Sequence, residues 1–173
     1  ASMYSKIIKA GIHKTLNVKT AEASKVLENT QRSVNISLIN EVSVLFNKLN
    51  IKTNEVLEAA NTKWNFNYFT PGLVGGHCIA IDPYYLVYKA KQVGLKSNLI
   101  LGSQKINEEM PVIICKRFMK SFSKKNIKLK KKNILIMGLT FKENCSDIRE
   151  SKVLDIINYL DKKKISVKTY DPW

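Results

Sequence analysis

Apolar residues recur at spacings of three and four from Thr20 to Leu49, which predicts one long helix with Thr20 as its N-cap. The residues of this apolar stripe are Ala23, Leu27, Val34, Leu38, Val42, Leu45 and Leu49. At about 1.5 Å per residue the helix would be roughly 45 Å long, which is more than a small domain needs. The spacing leaves two interpretations open, because such a helix can pair across a subunit interface or run through a large all-helical core.

Further helices are expected downstream of the long one. A short helix capped by Thr53 is followed by residues 61–81, which lose the helical period and are rich in aromatic residues and glycine, as an ordered functional loop would be. Asp82, followed by proline, predicts the N-cap of the next helix. A longer helix should cover about residues 98–122, with Pro111 kinking or restarting it.

The pattern changes after Lys130. A buried strand in NILIM, an amphipathic helix in SKVLDIINYLDKKK and a second strand in ISVKTYDPW follow one another, and this order is typical of a parallel α/β sheet. Two strands cannot form a complete doubly wound sheet, so we expect the chain to stop inside its second domain. The expected fold class is therefore mainly α, with a helical domain followed by a truncated α/β segment.

The chain has 173 residues and a net charge of +15, part of which lies in lysine runs at 124–125, 128, 130–132 and 162–164. Nucleic-acid binding is one interpretation of these runs, although such surfaces usually interleave arginine and aromatic residues with lysine. A solvated connector and basic residues that serve a phosphorylated small molecule are the alternatives.

Hydropathy and cysteine content argue against a membrane protein and against a secreted one. The longest apolar runs, such as residues 134–137, are too short to span a bilayer, and the N-terminus lacks the residue order of a signal peptide. Three cysteines without a C-x-x-C spacing predict neither a disulfide framework nor a zinc knuckle. We therefore expect a protein of the reducing cytoplasm, without a membrane partner.

The loop FTPGLVGGHCIAIDP, residues 69–83, contains the strongest candidate for chemistry, Cys78. Gly75 and Gly76 let the backbone approach a ligand closely, and the thiol precedes a helix N-terminus, whose partial positive charge stabilises thiolate. Both features favour a reactive thiol, but a cysteine in a glycine turn can also simply pack in the interior. No metal site is expected, because His77 and Cys78 are adjacent and no further His–Cys cluster completes four ligands.

Two other pairs of polar residues are candidates for the same site. Lys25 and Asn29 are four residues apart on one helix face and could direct a cation and an amide at a developing oxyanion, although a solvated face gives the same spacing. Lys142 and Arg149 follow the first predicted strand, where α/β sheets bind ligands. They could neutralise phosphates or be ordinary surface charges, and the G-x-G-x-x-G dinucleotide motif is absent.

Together these segments resemble the UDP-glucose/GDP-mannose dehydrogenase family. The motifs that carry the resemblance are AEASKVLENTQRSVNISLINE, EAANTKWNFNYFTPGLVGGHCIAIDPYYLVYKA, NILIMGLTFKENCSDIRESKVLDI and YDP. They occur in the order of the family and cover nearly the whole chain from about Tyr4 onward. The sequence around Cys78 is most similar to the bacterial UDP-N-acetylhexosamine 6-dehydrogenase branch, which supplies uronic acids for capsule and O-antigen synthesis.

The resemblance implies three domains and their partners. Residues 1–19 are expected to be the linker and end of an N-terminal NAD-binding domain, 20–128 a central helical dimerisation domain, and 129–173 the start of a Rossmann-like UDP-binding domain. It also implies a homodimer through the long helix, a UDP-sugar substrate, and NAD bound mainly by a domain that this chain lacks, so that the chain alone would be inactive. The alternative hypothesis is a non-enzymatic, basic helical dimerisation module that binds nucleic acid or acidic partners, neither of which the resemblance implies.

The resemblance also implies roles for individual residues. Cys78 matches the nucleophile that forms a thiohemiacetal and then a thioester while the C6 alcohol of the sugar is oxidised in two hydride transfers. Lys25 and Asn29 match the pair that stabilises oxyanions, and Asp82 matches a carboxylate that activates or orders water. The residues matched to substrate binding are Gly75, Gly76, Phe141 and Lys142, and the residue matched to NAD is Arg149.

Three positions depart from the family pattern. Thr70 stands where relatives usually have arginine, Ala80 replaces the usual glycine or proline, and Ser33 stands where aspartate is common. None of them is one of the proposed catalytic groups, so the expected chemistry is unchanged while the sugar specificity is left open.

Overall fold

The computed structural model describes residues 2–126, 129 and 132–173. The helices and strands of this part of the chain are α1 Ser2–Ser5, α2 Val18–Lys48, α3 Thr53–Ala60, α4 Asp82–Gln92, α5 Asn98–Ser123, β1 Asn133–Met137, α6 Lys152–Lys162 and β2 Ser166–Tyr170. The mainly α fold class is confirmed, with one long helix and a short strand–helix–strand unit at the end. The lysines at 128, 130 and 131 and the predicted domain boundary at 128 lie outside the described residues.

Each of the three N-caps expected from the sequence lies inside its helix instead. The N-cap of α2 is Asn17, whose side chain accepts a hydrogen bond of 2.9 Å from the Thr20 amide, so the prediction of Thr20 was wrong. Thr53 and Asp82 are the first residues of α3 and α4 rather than their caps. Asp82 therefore keeps its carboxylate free of local capping and uses it for a contact with α2.

The buried face of α2 is polar, which the hydrophobic pattern did not indicate. The buried residues are Asn29, Thr30, Ser33, Ser37, Ile39, Asn40 and Ser43. The leucines of the predicted apolar stripe point outward, with Leu27, Leu38, Leu45 and Leu49 between 51% and 61% exposed. Since α2 packs its polar face on α4 and α5, the apolar stripe does not run through a helical core within this chain.

Helix α5 joins the helical region to the α/β unit. It continues through Pro111, which is buried, so the helix does not restart there. Its second half carries Cys115, which is 1% exposed and packs with Leu160 and Ile165 in the hydrophobic core. Cys115 is therefore a core residue, and burial raises the pKa of its thiol.

The α/β unit has the strand–helix–strand order that the sequence predicted, but the expectation that the first strand is buried was wrong, because the residues of β1 alternate between exposed and half-buried positions. Strands β1 and β2 are parallel, in a register that runs from Asn133 opposite Ser166 to Met137 opposite Tyr170, and α6 makes the crossover between them. Ser151 caps α6 by accepting a hydrogen bond from the amide two residues on. Within the part of the chain that the structure describes, no helix is both long and apolar enough to cross a membrane.

Asp171, directly after β2, fixes the turn that leaves β1. Its carboxylate accepts hydrogen bonds from the amides of Leu139 at 2.6 Å, Trp173 at 2.9 Å and Thr140 at 3.4 Å. These amides, with Leu139 first, lower the pKa of Asp171. The turn that they hold leads directly into the loop containing Phe141 and Lys142.

This arrangement predicts that acid weakens the fold through Asp171. The pKa of Asp171 is lower in the folded state than in the unfolded chain, where it is about 3.9. The ionised carboxylate therefore contributes its full stabilisation above the pKa of the unfolded chain, and this stabilisation is lost as the pH falls through the pKa of the folded state. We expect Asp171→Asn to lower the urea midpoint at pH 7 and to reduce the loss of stability between pH 6 and pH 3. Asp161→Asn, on an exposed position of α6, is the control. If the urea midpoints of wild type and Asp171→Asn fall in parallel as the pH is lowered, the prediction is contradicted.

Candidate functional site

Cys78 lies in the turn that leads into α4, with its side chain exposed. Its carbonyl oxygen accepts hydrogen bonds from the amides of Ile81 at 3.1 Å and Asp82 at 2.8 Å. These bonds close the turn and place the thiol one turn before the helix, as the sequence predicted. An exposed thiol in this position is available to an electrophilic ligand.

Asn29 and Asp82 meet at this end of α4. The Asn29 side chain on α2 is only 2% exposed, and its Nδ2 donates to Oδ2 of Asp82 over 2.6 Å. The structure thus brings an amide and a carboxylate together, and Asp82 is tied to Cys78 by its own backbone amide. Because Asn29 has almost no solvent around it, its orientation is set by this bond.

Lys25 lies one turn before Asn29 but forms an ion pair with Glu28, a residue that the sequence did not single out. Its Nζ is 2.5 Å from Oε2 of Glu28, and its side chain is 66% exposed. Glu28 also contacts Arg32. The contact with Lys25, and then the charges of both bases, lower the pKa of the Glu28 carboxyl. In this structure the Lys25 ammonium is therefore directed along the surface of α2 toward Glu28.

The two glycines before Cys78 contact the loop that follows β1. The amide of Gly76 donates to the carbonyl of Glu150 over 3.2 Å, and Gly76 has a φ of +82°, which disfavours other residues. A Cβ on Gly76 would lie 2.7 Å from the ring of Phe141, and one on Gly75 would lie 2.8 Å from the Glu150 carbonyl oxygen. The close approach between these loops therefore requires both glycines.

Aromatic and basic side chains surround this contact. The ring of His77 packs edge-on against Phe141, with the centroids 6.0 Å apart. Lys142 Nζ lies 5.7 Å from the centroid of the same ring, in the range of a cation–π interaction. Gly76, Phe141 and Lys142, predicted separately to bind substrate, are thus brought together by the fold.

Arg149 is held by Asp147, a second partner that the sequence reading missed. Its Nε lies 2.9 Å from Oδ1 and its Nη2 2.6 Å from Oδ2 of that carboxylate. This pairing lowers the pKa of Asp147 well below its usual range and raises that of Arg149. The Asp-x-Arg spacing of Asp147 and Arg149 is present in the sequence, but the sequence does not show that the Asp147 side chain orients the Arg149 guanidinium.

Tyr84 adds a polar contact between α4 and α5. It donates a hydrogen bond to the carboxylate of Glu108. Burial, and after it the contact with Glu108, raises the pKa of Tyr84 to about 12. This contact fastens the first turn of α4, next to Asp82, to the neighbouring helix.

The assembled groups suit nucleophilic addition to a carbonyl carbon. An exposed thiol provides the nucleophile, and the Asn29–Asp82 pair provides an amide and a carboxylate near its backbone. Among residues 2–126, 129 and 132–173, no group of three or more histidine, cysteine, aspartate and glutamate side chains is arranged to hold a metal ion.

Comparison with protein families gives two matches on this chain. Residues 19–109 match the central domain of the UDP-glucose/GDP-mannose dehydrogenase family, and residues 135–173 match the UDP binding domain of the same family. The chain is 49% identical over 172 residues to UDP-N-acetyl-D-glucosamine 6-dehydrogenase of Pseudomonas aeruginosa. It is 48% identical over 171 residues to Protein CapL of Staphylococcus aureus. These alignments cover 99% of this chain but only 41% and 40% of the two proteins.

Solved structures give the same result. The UDP-D-ManNAc dehydrogenase of Pyrococcus horikoshii matches with a TM-score of 0.89 at 36% identity, over 99% of this chain and 40% of that one. The UDP-N-acetyl-mannosamine dehydrogenase Cap5O of Staphylococcus aureus matches with a TM-score of 0.81 at 36% identity, over the same shares. The chain thus spans about two fifths of the length of the relatives it matches.

The contact between Gly76 and Phe141 predicts an unequal effect of two similar substitutions. Gly76 and Gly94 both have a positive φ, +82° and +76°, but only a Cβ at Gly76 meets other atoms. Alanine in this conformation costs about 1–2 kcal/mol at either position, and overpacking adds about 1–3 kcal/mol at Gly76. Gly76→Ala should therefore lower the free energy of unfolding in urea more than Gly94→Ala, and should remove the ring-current shift of Phe141 on His77. Equal losses with an unchanged His77 spectrum would contradict this account of the loop contact.

Proposed function

This chain belongs to the UDP-glucose/GDP-mannose dehydrogenase family, and we propose that it is part of an NAD-dependent nucleotide-sugar 6-dehydrogenase. The proposed substrate is a UDP-N-acetylhexosamine or a UDP-hexose, whose C6 alcohol is oxidised to the carboxylate. The names of the relatives, UDP-N-acetyl-D-glucosamine 6-dehydrogenase among them, support this substrate class. The observation that carries the proposal is the exposed thiol of Cys78, a residue whose carbonyl accepts a hydrogen bond from Asp82 of the Asn29–Asp82 pair. The uronate would serve surface polysaccharide synthesis in the cytoplasm, such as that of capsule or O-antigen.

Cys78 would act as the nucleophile on the C6 aldehyde. Bound NAD+ would supply the hydride acceptor for both oxidations. Between them, the Cys78 sulfur bonds to the aldehyde carbon and the carbonyl oxygen gains a proton, which gives a thiohemiacetal. Loss of hydride and proton gives a thioester, and attack by water then breaks the sulfur–carbon bond, releasing the carboxylate and the thiol.

Asn29, Asp82 and Lys25 would serve the oxygens in these steps. Asn29 is held in place by Asp82 and can donate to an oxyanion without reorganisation. The second carboxylate oxygen of Asp82 can orient the water that attacks the thioester. Lys25 would have to leave Glu28, which is inexpensive because exposed ion pairs contribute little stability.

The second loop would bind the nucleotide and the cofactor. Gly75 and Gly76 would line the sugar through their backbone, while Phe141 and Lys142 would contact the UDP-sugar from the α/β unit. Arg149 fits a role in holding NAD, because its side chain is 74% exposed and its guanidinium is already oriented by Asp147. The net charge of +15 favours the approach of these anionic ligands.

A homodimer through α2 is the second part of the proposal. Apolar side chains in water are unfavourable, and the exposed leucines of α2 form a stripe that a second copy could cover. The same stripe on a partner helix would provide a self-complementary interface.

One observation supports a different function, the binding of nucleic acid or another acidic partner. A groove of about 540 Å³ at the ends of α2 and α5 is lined by Lys48, Arg117, Lys120 and Lys124. Binding that weakens steeply with rising salt would support this second function.

The nucleophile assignment predicts the effect of one substitution in the complete dehydrogenase that contains this chain. Cys78→Ser should abolish conversion of the UDP-sugar to the uronate, because a serine alcohol does not replace a thiolate in reversible addition and thioester formation. NADH absorbance and mass spectrometry of the product would measure it. Cys145→Ser is the matched control and should retain activity. Carboxylate production by Cys78→Ser at the wild-type rate would rule the assignment out.

The dimer proposal predicts that a charge in the α2 stripe separates the subunits. Leu38 is 55% exposed on α2, and Leu38→Glu should convert a dimer into a monomer in sedimentation equilibrium. Val93→Glu, at a site that is 80% exposed beyond α4, should leave the mass unchanged. A wild-type monomer, or a dimer that survives Leu38→Glu, would show that α2 is not the interface.

A further inference from the structure

Four polar side chains form a hydrogen-bonded network between α2 and α5. Ser33 and Asn40 lie on α2, Gln104 and Asn107 lie on α5, and all four are between 0% and 3% exposed. The Ser33 hydroxyl donates to Oε1 of Gln104 over 2.9 Å, and Asn40 Nδ2 donates to Oδ1 of Asn107 over 3.0 Å. Asn107 Nδ2 donates to the carbonyl and the hydroxyl of Ser33 over 3.1 and 3.2 Å, and this joins the two pairs.

Both ends of this network leave the helices and bind the backbone of the loop that contains Cys78. Asn40 pairs with both backbone groups of Gly72, because its Nδ2 donates to the carbonyl over 3.0 Å and its Oδ1 accepts from the amide over 2.8 Å. Gln104 Nε2 donates to the carbonyl of Ala80 over 3.4 Å. Gly72 and Ala80 lie on opposite sides of Cys78, so the network contacts both flanks of the thiol.

Helix packing does not by itself call for these residues. Apolar side chains of the same size would hold two helices together at least as well, because buried polar groups stabilise only when all their hydrogen bonds are made. Here that condition holds, since within the described residues no buried side-chain nitrogen or oxygen lacks a partner. What the polar groups provide, and apolar groups would not, is recognition of the Gly72 and Ala80 backbone.

The space behind the loop makes these bonds more important. Gln104 and Asn107 line a cavity of about 70 Å³ together with Ala80 and Ile81. Tight packing therefore does not fix the loop on this side, and the hydrogen bond from Gln104 limits its movement toward the cavity.

We infer that Ser33, Asn40, Gln104 and Asn107 are positioning residues that set the path of the Cys78 loop from both flanks, with Ser33 and Asn107 coupling one flank to the other. The coupling is a property of the fold and does not depend on the reaction. Its use, to hold the thiol in place for the sugar, rests on the proposed function.

Ser33→Ala tests this inference with the smallest change. Among the hydrogen bonds of the described residues, none joins the Ser33 hydroxyl to the loop, but its loss removes the donor to Gln104 Oε1 and one of the two Ser33 oxygens that accept from Asn107 Nδ2. We expect hydrogen exchange of the Gly72, Ile81 and Asp82 amides to accelerate at least about fivefold, the factor that corresponds to one lost hydrogen bond. Amides of the α5–α6 core should be unchanged. Ser33→Thr, which keeps the hydroxyl, should restore the slow exchange.

Ser103→Ala is the matched control, because Ser103 on α5 is likewise buried, 3% exposed against 0% for Ser33, and its hydroxyl donates only within its own helix, to the Ile100 carbonyl. Equal loop exchange in Ser33→Ala and Ser103→Ala, or an acceleration spread over the whole chain, would overturn the inference.

Gln104→Met provides a second variant, expected to accelerate exchange at Ile81 and Asp82 and also at Gly72. An effect confined to Ile81 and Asp82 would disprove the coupling.

In the complete dehydrogenase, Ser33→Ala should lower kcat at least about fivefold with KM for the UDP-sugar nearly unchanged, since it misplaces the nucleophile rather than the sugar contacts. The exchange and activity measurements separate the two proposals. A loop effect in a protein that oxidises no UDP-sugar would refute the proposed function and leave the positioning network standing. If the loop amides of Ser33→Ala exchange at the wild-type rate and the dehydrogenase oxidises its UDP-sugar, the positioning network alone is refuted.

Discussion

The contact between α2 and α5 contains a buried set of hydrogen-bonded hydroxyls and amides, and the rest of the structure depends on it. Apolar contacts tolerate sliding, whereas hydrogen bonds between buried groups require particular partners at particular distances. Ser33 with Gln104 and Asn40 with Asn107 therefore fix the register of the two longest helices. The same polar face leaves the leucines of α2 at the surface, so the internal packing and the external apolar stripe have one cause.

Helix α5 transmits this register to the α/β unit. Gln104 and Asn107 in its first half bind α2 and the loop, while Cys115 in its second half lies in the core with α6. Gln104 and Cys115 are separated by roughly 16 Å of continuous helix, since each residue advances the axis by about 1.5 Å. The loop after β1 is thereby placed where Phe141 meets Gly76. The two halves of the candidate site thus depend on one uninterrupted helix.

Periodicity predicted the elements well, because α2, α5 and the strand–helix–strand unit each carry a pattern over many residues. Periodicity could not predict which face of α2 is buried, since it distinguishes an apolar from a polar face without showing which of the two packs against the other helices of the chain. It also misplaced the start of α2, because Asn17 and Thr20 are both good caps and only the backbone conformation at Asn17 distinguishes them.

The candidate site was predictable where a motif contained its residues and unpredictable where a partner came from elsewhere. Cys78, Asn29 and Asp82 could be identified from local chemistry together with family resemblance. The pairing of Lys25 with Glu28 depends on side-chain rotamers, and the bond from Gly76 to Glu150 joins residues far apart in the chain. Neither contact leaves a periodic or compositional signal.

The meeting of Gly76 and Phe141 has a mechanical consequence. The phenylalanine ring fills the volume that a side chain at residue 76 would need. The Phe141 ring and the Gly76 backbone therefore each limit how far the other can move. Lys142 is the next residue along from that ring, and Cys78 is two residues along from the glycine. Any ligand that shifts the ring therefore changes the clearance of a peptide segment about two residues, or roughly 7 Å, from the thiol. This steric contact therefore couples the loop after β1 to the segment that carries the sulfur.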